Sequence, residues 1–241
     1  MINNVFVGCA GFTGRDWKGF FFPEGLAGKD ELTYYSSRFN AVEINSTFYR
    51  KPRGTTLENW YNRTNDGFKF FIKIPKDFTH IRRMVETAPD TLDFCNYITD
   101  GIREKLAGFL YQFPPGFHYN KQNLDLILQG IPAGFISVVE FRHESWWNSD
   151  AAKILADRGI VFAGVSYPGK IPDDVITVHP NMAYYRLHGV PIMFKSEYSE
   201  DFLSDILQNV KASGREFYVF FNNTWGTAAL KNALHLNNLL Q

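Results

Sequence analysis

The sequence has 241 residues, and its 25 lysines and arginines balance its 25 aspartates and glutamates. A chain without net charge is not expected to hold nucleic acid mainly through phosphate contacts, which require a basic face. Aromatic residues make up 17% of the sequence, and the high apolar content excludes intrinsic disorder.

Eight short apolar runs recur along the chain, each followed by a polar, glycine or proline break. They predict strands at Val5–Cys9, Ala41–Ile44, Lys69–Ile74, Leu106–Tyr111, Ile136–Val139, Ile160–Val165, Ala183–Leu187 and Glu216–Phe221. Helical spacing in most of the gaps predicts helices at Glu31–Phe39, Thr55–Arg63, Thr91–Arg103, Gln122–Gln129, Asp150–Asp157, Ser199–Ala212 and Thr227–Leu240.

Eight strands that alternate with helices over about 250 residues are typical of a (β/α)8 TIM-like barrel. We therefore expect residues 1–241 to form one such domain. A doubly wound sheet is the alternative, but the turn after the first strand lacks the glycine spacing of that fold. Pro168, Pro172 and Pro180 follow the sixth strand and leave no helical pattern, so the barrel is expected to be imperfect there.

The two cysteines, Cys9 and Cys95, do not form a CxxC pair and are predicted to be free thiols in a reducing compartment. No apolar run approaches the roughly 18 residues of a membrane span. These features predict a soluble cytoplasmic protein without a membrane partner, and they leave the oligomeric state undetermined.

Polar side chains stand at the carboxyl ends of several predicted strands, where barrel enzymes place their catalytic groups. The candidate catalytic residues are Glu43, Glu140 and His188, and the candidate ligand-binding residues are Asn45, Lys73, Gln112, Arg142, Arg186 and Asn222. So many polar groups are costly to bury unless they are paired. Together they predict a site for a small polar or anionic molecule, with Lys73 and the two arginines holding the anion.

Several alternatives share these residues. Glu140 with Arg186, or Glu43 with Lys73, could be structural ion pairs. Glu43 and Glu140 could instead cleave glycosides as a carboxylate pair, or they could serve metal-dependent isomerase or nuclease chemistry together with histidines. The sequence has no HxH or HExxH spacing, so no metal is assigned and the cofactor is left open. A non-catalytic ligand sensor or adaptor would use the same pocket or an exposed aromatic face.

The sequence resembles the YecE-like family (domain of unknown function 72) in motifs spread over almost its whole length. The motifs are Val7-Gly8-Cys9-Ala10-Gly11-Phe12, Phe39–Arg50, Gln112-Phe113-Pro114-Pro115-Gly116-Phe117, Val139-Glu140-Phe141-Arg142-His143, Arg186-Leu187-His188-Gly189 and Phe221-Asn222-Asn223. The resemblance implies a TIM-barrel-like fold and no established reaction. The candidate site residues above fall at matching motif positions.

Overall fold

The computed structural model describes residues 4–240, with side chains at all of these positions except 210, 211 and 213. Nine strands lie in that range: β1 Val5–Cys9, β2 Ala41–Ile44, β3 Lys69–Lys73, β4 Leu106–Gln112, β5 Ser137–Glu140, β6 Ile160–Phe162, β7 Gly164–Ser166, β8 Met182–Leu187 and β9 Glu216–Phe221. The α-helices are α1 Glu31–Ser36, α2 Gly54–Asn62, α3 Ala88–Ile102, α4 Lys121–Gly130, α5 Ser149–Asp157, α6 Glu200–Ser213 and α7 Ala228–Leu239, and short 3-10 or π-helical turns occur in several of the connections.

The strands form two parallel sheets rather than the closed eight-stranded barrel that the sequence predicts. One sheet has the order β2-β3-β4-β5-β6 and the other β1-β9-β8-β7. Their strands are buried on both faces, as parallel sheets require, because the connecting helices cover the outer side. The alternation of strands and helices is therefore confirmed, whereas closure by backbone pairing is not.

Side chains join the edges of the two sheets where β1 lies beside β2. The Asn40 amide accepts a hydrogen bond from Val7 N at 2.8 Å and donates one to Val5 O at 2.8 Å. The Tyr35 hydroxyl accepts from Cys9 N at 2.7 Å and donates to the carbonyl of β2's first residue at 3.2 Å. These side chains satisfy backbone groups that a strand ladder would otherwise pair.

The predicted sixth strand, Ile160–Val165, is divided at Ala163 into β6 and β7. The chain changes partner at this point, since β6 pairs with β5 whereas β7 pairs with β8. Ala163 N still donates to Val139 O at 2.8 Å, so the two short strands follow each other without a loop. Residues 167–181, all described, contain no helix, as the three prolines predict.

The described residues form two apolar clusters. The larger cluster lies between the strands and the helices. The smaller one combines alternate residues of both sheets, including Ala41, Phe71, Leu110, Tyr184 and Phe220. Because alternate residues of a strand share a face, this smaller cluster fixes which side chains point into the space between the sheets.

The helix α6 shows how local sequence sets the helix ends. Ser199 is its N-cap and accepts a hydrogen bond from Phe202 N at 3.3 Å, and Gly214 ends it in the left-handed conformation. The helix lies within one residue of the range that the sequence predicts, Ser199–Ala212. Within residues 4–240, no helix combines the length and apolar character that a membrane crossing needs.

Candidate functional site

The candidate residues continue the inward face of their strands past the smaller apolar cluster. Glu43 follows Ala41, a residue of the smaller cluster, by two positions. Five other polar residues likewise follow a residue of that cluster by two positions: Lys73, Gln112, Glu140, Arg186 and Asn222. Two-residue periodicity therefore places all six at the carboxyl end of the strands. The structure brings them together as the sequence predicts.

Arg186 lies at the centre of the cluster and connects the two sheets. Its Nη2 donates to Glu43 Oε1 at 2.5 Å, and its Nη1 donates to Glu140 Oε2. Glu43 also accepts a hydrogen bond from the Tyr184 hydroxyl at 2.6 Å and one from the Asn45 amide at 3.0 Å. The ion pair between Glu140 and Arg186 is thus present, whereas Glu43 pairs with Arg186 and not with Lys73.

The second guanidinium, that of Arg142, extends this network toward solvent. Its Nε forms an ion pair with Glu140, and its Nη2 lies 3.1 Å from Nε2 of His188. The guanidinium stacks on the Tyr167 ring at 4.2 Å. Asn222 Nδ2 lies 2.8 Å from Nδ1 of His188. His188 is fully buried, while Arg142 and Asn222 are partly exposed.

Lys73 forms a second group beside this network. Its Nζ donates to Gln112 Oε1 at 2.9 Å and packs over the Phe48 ring at 4.2 Å. Gln112 donates to a backbone carbonyl at 2.9 Å and contacts His80 Nε2 at 3.4 Å. Among the ion pairs of residues 4–240, none involves Lys73. Its amine is therefore held by a neutral amide and an aromatic ring alone.

Burial and neighbouring charges together set the protonation of the site. Burial alone would raise the pKa of Glu140, but Arg142 and Arg186 outweigh it and hold that pKa well below its usual value. Burial and the charge of Arg142 lower the pKa of His188 to about 3. Burial, reinforced by Arg186 and opposed by the carboxylates, lowers the pKa of Lys73 to about 7. At neutral pH the site thus contains an ionised Glu140, a neutral His188 and a lysine near its titration midpoint.

Four buried polar atoms of the site have no hydrogen-bond partner within the described part of the chain. Two of them, Glu140 Oε1 and Arg142 Nε, form an ion pair with each other, whereas Oδ1 of Asn45 and Nε of Arg186 have no partner of either kind. Buried polar atoms are normally paired, and an unpaired one has to be explained. One acceptor and one donor are therefore free at the carboxyl ends of the strands.

Sequence reasoning missed two side chains that shape the site, Tyr184 and His80. Tyr184 could have been found, because it precedes Arg186 by two positions on the same strand face. His80 lies in a π-helical turn, Asp77–Ile81, after β3, where no strand periodicity predicts the direction of a side chain. Burial and the charge of Lys73 lower the pKa of His80 to about 4, so this histidine is neutral as well.

Other polar candidates lie away from the cluster. The His143 ring stacks on His118, with 3.9 Å between the centroids, and contacts Ser145 Oγ at 2.8 Å. Cys9 packs in the larger apolar cluster, and burial raises the pKa of its thiol. Within residues 4–240, no group of three or more His, Cys, Asp or Glu side chains is arranged to hold a metal ion.

A surface cavity of about 540 Å³ lies beside the lysine group, between the loops that follow β2 and β3. Thr47 and Phe48 form part of its wall, together with Pro75 and Phe78. Phe48 thus contacts the cavity on one side and the Lys73 amine on the other.

The fold and the polar cluster together define a parallel α/β protein with a candidate site at the carboxyl ends of its strands. Residues 6–241 match the family model described as "Protein of unknown function DUF72", and the chain belongs to this family. The resemblance found in the sequence motifs is therefore confirmed.

Known relatives extend this result. The chain is similar to a DUF72 family protein from Thermotoga maritima MSB8, with a TM-score of 0.86, 30% identity and 98% of each chain covered. A DUF72 family protein from Enterococcus faecalis V583 shares the fold, with a TM-score of 0.81 and 19% identity over 98% of this chain and 95% of that one. The UPF0759 protein YunF of Bacillus subtilis (strain 168) is 24% identical, covering 98% of this chain and 94% of the relative.

Proposed function

We propose that the protein binds a small anionic molecule at the carboxyl ends of its strands and acts on it as an enzyme. The observation that carries this proposal is that the polar cluster has more basic side chains than carboxylates. Two arginines, Arg142 and Arg186, balance the two carboxylates. The Lys73 amine is near its titration midpoint at neutral pH, and its charged form has no carboxylate partner among the described residues. A bound anion would balance that charge.

The access to the cluster supports the same proposal. Asn45, Gln112, Arg142 and Asn222 are partly exposed, whereas the Glu43–Arg186–Glu140 network beneath them is fully buried. The partly exposed side chains offer donors and acceptors to a ligand, and the buried network holds Arg142 in place. Preorganised donors of this kind bind anions strongly where water is excluded.

The proposed catalytic residues have different parts in this site. His188 is neutral at neutral pH and could accept a proton. Glu43 and Glu140 act as fixed anions that orient the guanidinium groups, because both are bonded to Arg186. This shared partner does not favour the alternative in which the two carboxylates cleave a glycosidic bond as acid and nucleophile.

The larger architecture in this proposal is an imperfect (β/α)8 barrel formed as one domain. The apolar cluster shared by the two sheets and the side-chain bridge from β1 to β2 support it. Residues 1–3 and 241 lie outside the described residues. Cys9 and Cys95 are free and buried. They are compatible with a reducing compartment, and the cytoplasmic location stays a prediction.

Thermal unfolding with and without ligand tests the proposal. We expect inorganic phosphate, oxalate or pyruvate to raise the Tm of the wild type, as any ligand of the native state does. Arg142→Gln and Lys73→Met should lose most of this rise, whereas Lys153→Met, on the exposed face of α5, should keep it. Equal rises in all four proteins, or none in the wild type, would contradict an anion site.

Turnover separates an enzyme from a ligand sensor. Once a bound anion is identified, Glu140→Gln should lower its conversion and weaken its binding together, because Glu140 orients the Arg142 guanidinium that contacts the anion. A wild type that binds the anion and converts none of it would favour the sensor.

A further inference from the structure

Among the side chains that the structure describes, two lysines are almost fully buried, and their surroundings differ. The Lys105 Nζ donates to Tyr61 O and Thr64 O, both at 2.7 Å, and lies 3.2 Å from Thr64 Oγ1. Three acceptors match the three donors of an ammonium group. Lys105 is therefore satisfied as a buried cation that connects the end of α2 to the start of β4.

Lys73 has only one such acceptor within the described part of the chain. Its Nζ donates to the neutral amide of Gln112, and the Phe48 ring covers another side. An amine with one acceptor in a buried site is better matched as a neutral amine than as an ammonium ion. Burial and the charge of Arg186 both favour the neutral amine, whereas the carboxylates of Glu140 and Glu43 favour the charged form. Burial and Arg186 outweigh the carboxylates, so the pKa of Lys73 falls to about 7.

A neutral lysine amine is a nucleophile, and burial is a common means of activating it. We propose that Lys73 forms an imine with the carbonyl group of a small anionic substrate, whose acidic group binds at Arg142. This inference rests on the anion site proposed above and names its substrate class: 2-oxo acids or phosphorylated aldehydes and ketones. Arg142 is partly exposed and stacks on Tyr167, so its guanidinium is held in one orientation for such a group.

The step is balanced without any further reactant. The Lys73 nitrogen lone pair forms a bond to the carbonyl carbon while the C=O π electrons move to oxygen. The resulting carbinolamine then loses that oxygen as water, which takes both amine protons, and a C=N bond replaces the C=O bond. Neutral His80, which contacts Gln112, lies beside the group and could relay protons.

Reductive trapping tests the inference on the wild-type protein. Glyoxylate, pyruvate and dihydroxyacetone phosphate are each incubated with the protein and cyanoborohydride at pH 7, and the modified lysines are located by peptide mass spectrometry. We expect adducts on Lys73 to exceed those on Lys105 or exposed Lys121 at least about tenfold, since ordinary lysines are less than about 0.1% neutral at this pH. Lys73→Arg removes the nucleophile and should show no adduct at position 73.

The outcomes separate this inference from the anion site. Thermal unfolding of the wild type with inorganic phosphate, which cannot form an imine, is measured in parallel. If phosphate raises the Tm and none of the three probes modifies Lys73 above Lys121, the imine is refuted while the anion site stands. If neither effect is seen, both proposals fail. Adducts spread evenly over the lysines would also overturn the assignment to Lys73.

Discussion

The Arg186→Met substitution tests the buried charge network at its centre. Arg186 holds Glu43 and Glu140 at once, and all three side chains are excluded from solvent. After the substitution Glu140 keeps its ion pair with Arg142, but Glu43 retains only uncharged hydrogen-bond donors. One carboxylate is thereby buried without a cation, and we expect a loss of about 3–5 kcal/mol in the free energy of unfolding.

The loss should depend on pH with a defined sign. The pKa of Glu140 lies well below its unfolded value of 4.5, so its ion pairs stabilise the native wild type above that pH, and this contribution is lost as the pH falls below it. Arg186→Met removes one of the two guanidinium groups that lower this pKa. The difference between variant and wild type should therefore be smaller at pH 3.5 than at pH 8.

Equilibrium unfolding in urea, followed by tryptophan fluorescence at both pH values, measures this difference. Arg158→Met removes an exposed arginine and should change the free energy of unfolding by less than about 0.5 kcal/mol. Adding Glu43→Gln to Arg186→Met removes the uncompensated charge and should restore about 2 kcal/mol or more. A cost below about 1 kcal/mol for Arg186→Met, or no recovery in the double variant, would refute the reasoning.

Three further substitutions probe the fold and the site. Gly8→Ala should cost about 1–3 kcal/mol in urea unfolding, because the new Cβ would lie 2.0 Å from a backbone oxygen of β2. Gly28→Ala should be nearly neutral, because its new Cβ would meet only a carboxylate oxygen of Glu31, at 4.0 Å. Tyr184→Phe removes the hydroxyl bonded to Glu43 and should cost about 1.5–3 kcal/mol in the same assay. Because the pKa of Lys73 is lowered in the native state, the unfolded state binds more protons than the native state above about pH 7. The free energy of unfolding of the wild type should therefore rise with pH relative to that of Lys73→Met, by at most about 1.4 kcal/mol per pH unit. An unchanged difference between pH 6 and 9 would contradict that sign.

The strands and the polar cluster could be read from the sequence because both depend on a simple period. Val5–Cys9, Ala41–Ile44 and Glu216–Phe221 have the predicted bounds, since an apolar run ends where a polar or turn residue begins. The same two-residue step that buries Tyr184 also directs Arg186 and the other polar strand residues inward.

The contacts that connect one strand to the next could not be predicted from periodicity. Nothing in the apolar run Ile160–Val165 shows that the chain changes its partner strand at Ala163, because that change depends on the neighbouring strands. The bridge that Asn40 makes between β1 and β2 is likewise a tertiary contact of a loop residue. Periodicity predicts which face a residue occupies, but not which strand lies beside it.

The position of Arg186 also has a consequence for folding kinetics. Its carboxylate partners are 143 and 46 residues away in the sequence, and both lie on the sheet that does not contain Arg186. These ion pairs can form only after the two sheets have docked and expelled water, so they contribute late on the folding pathway. Interactions absent from the transition state slow unfolding without speeding folding. We therefore expect loss of these ion pairs to speed unfolding more than it slows folding.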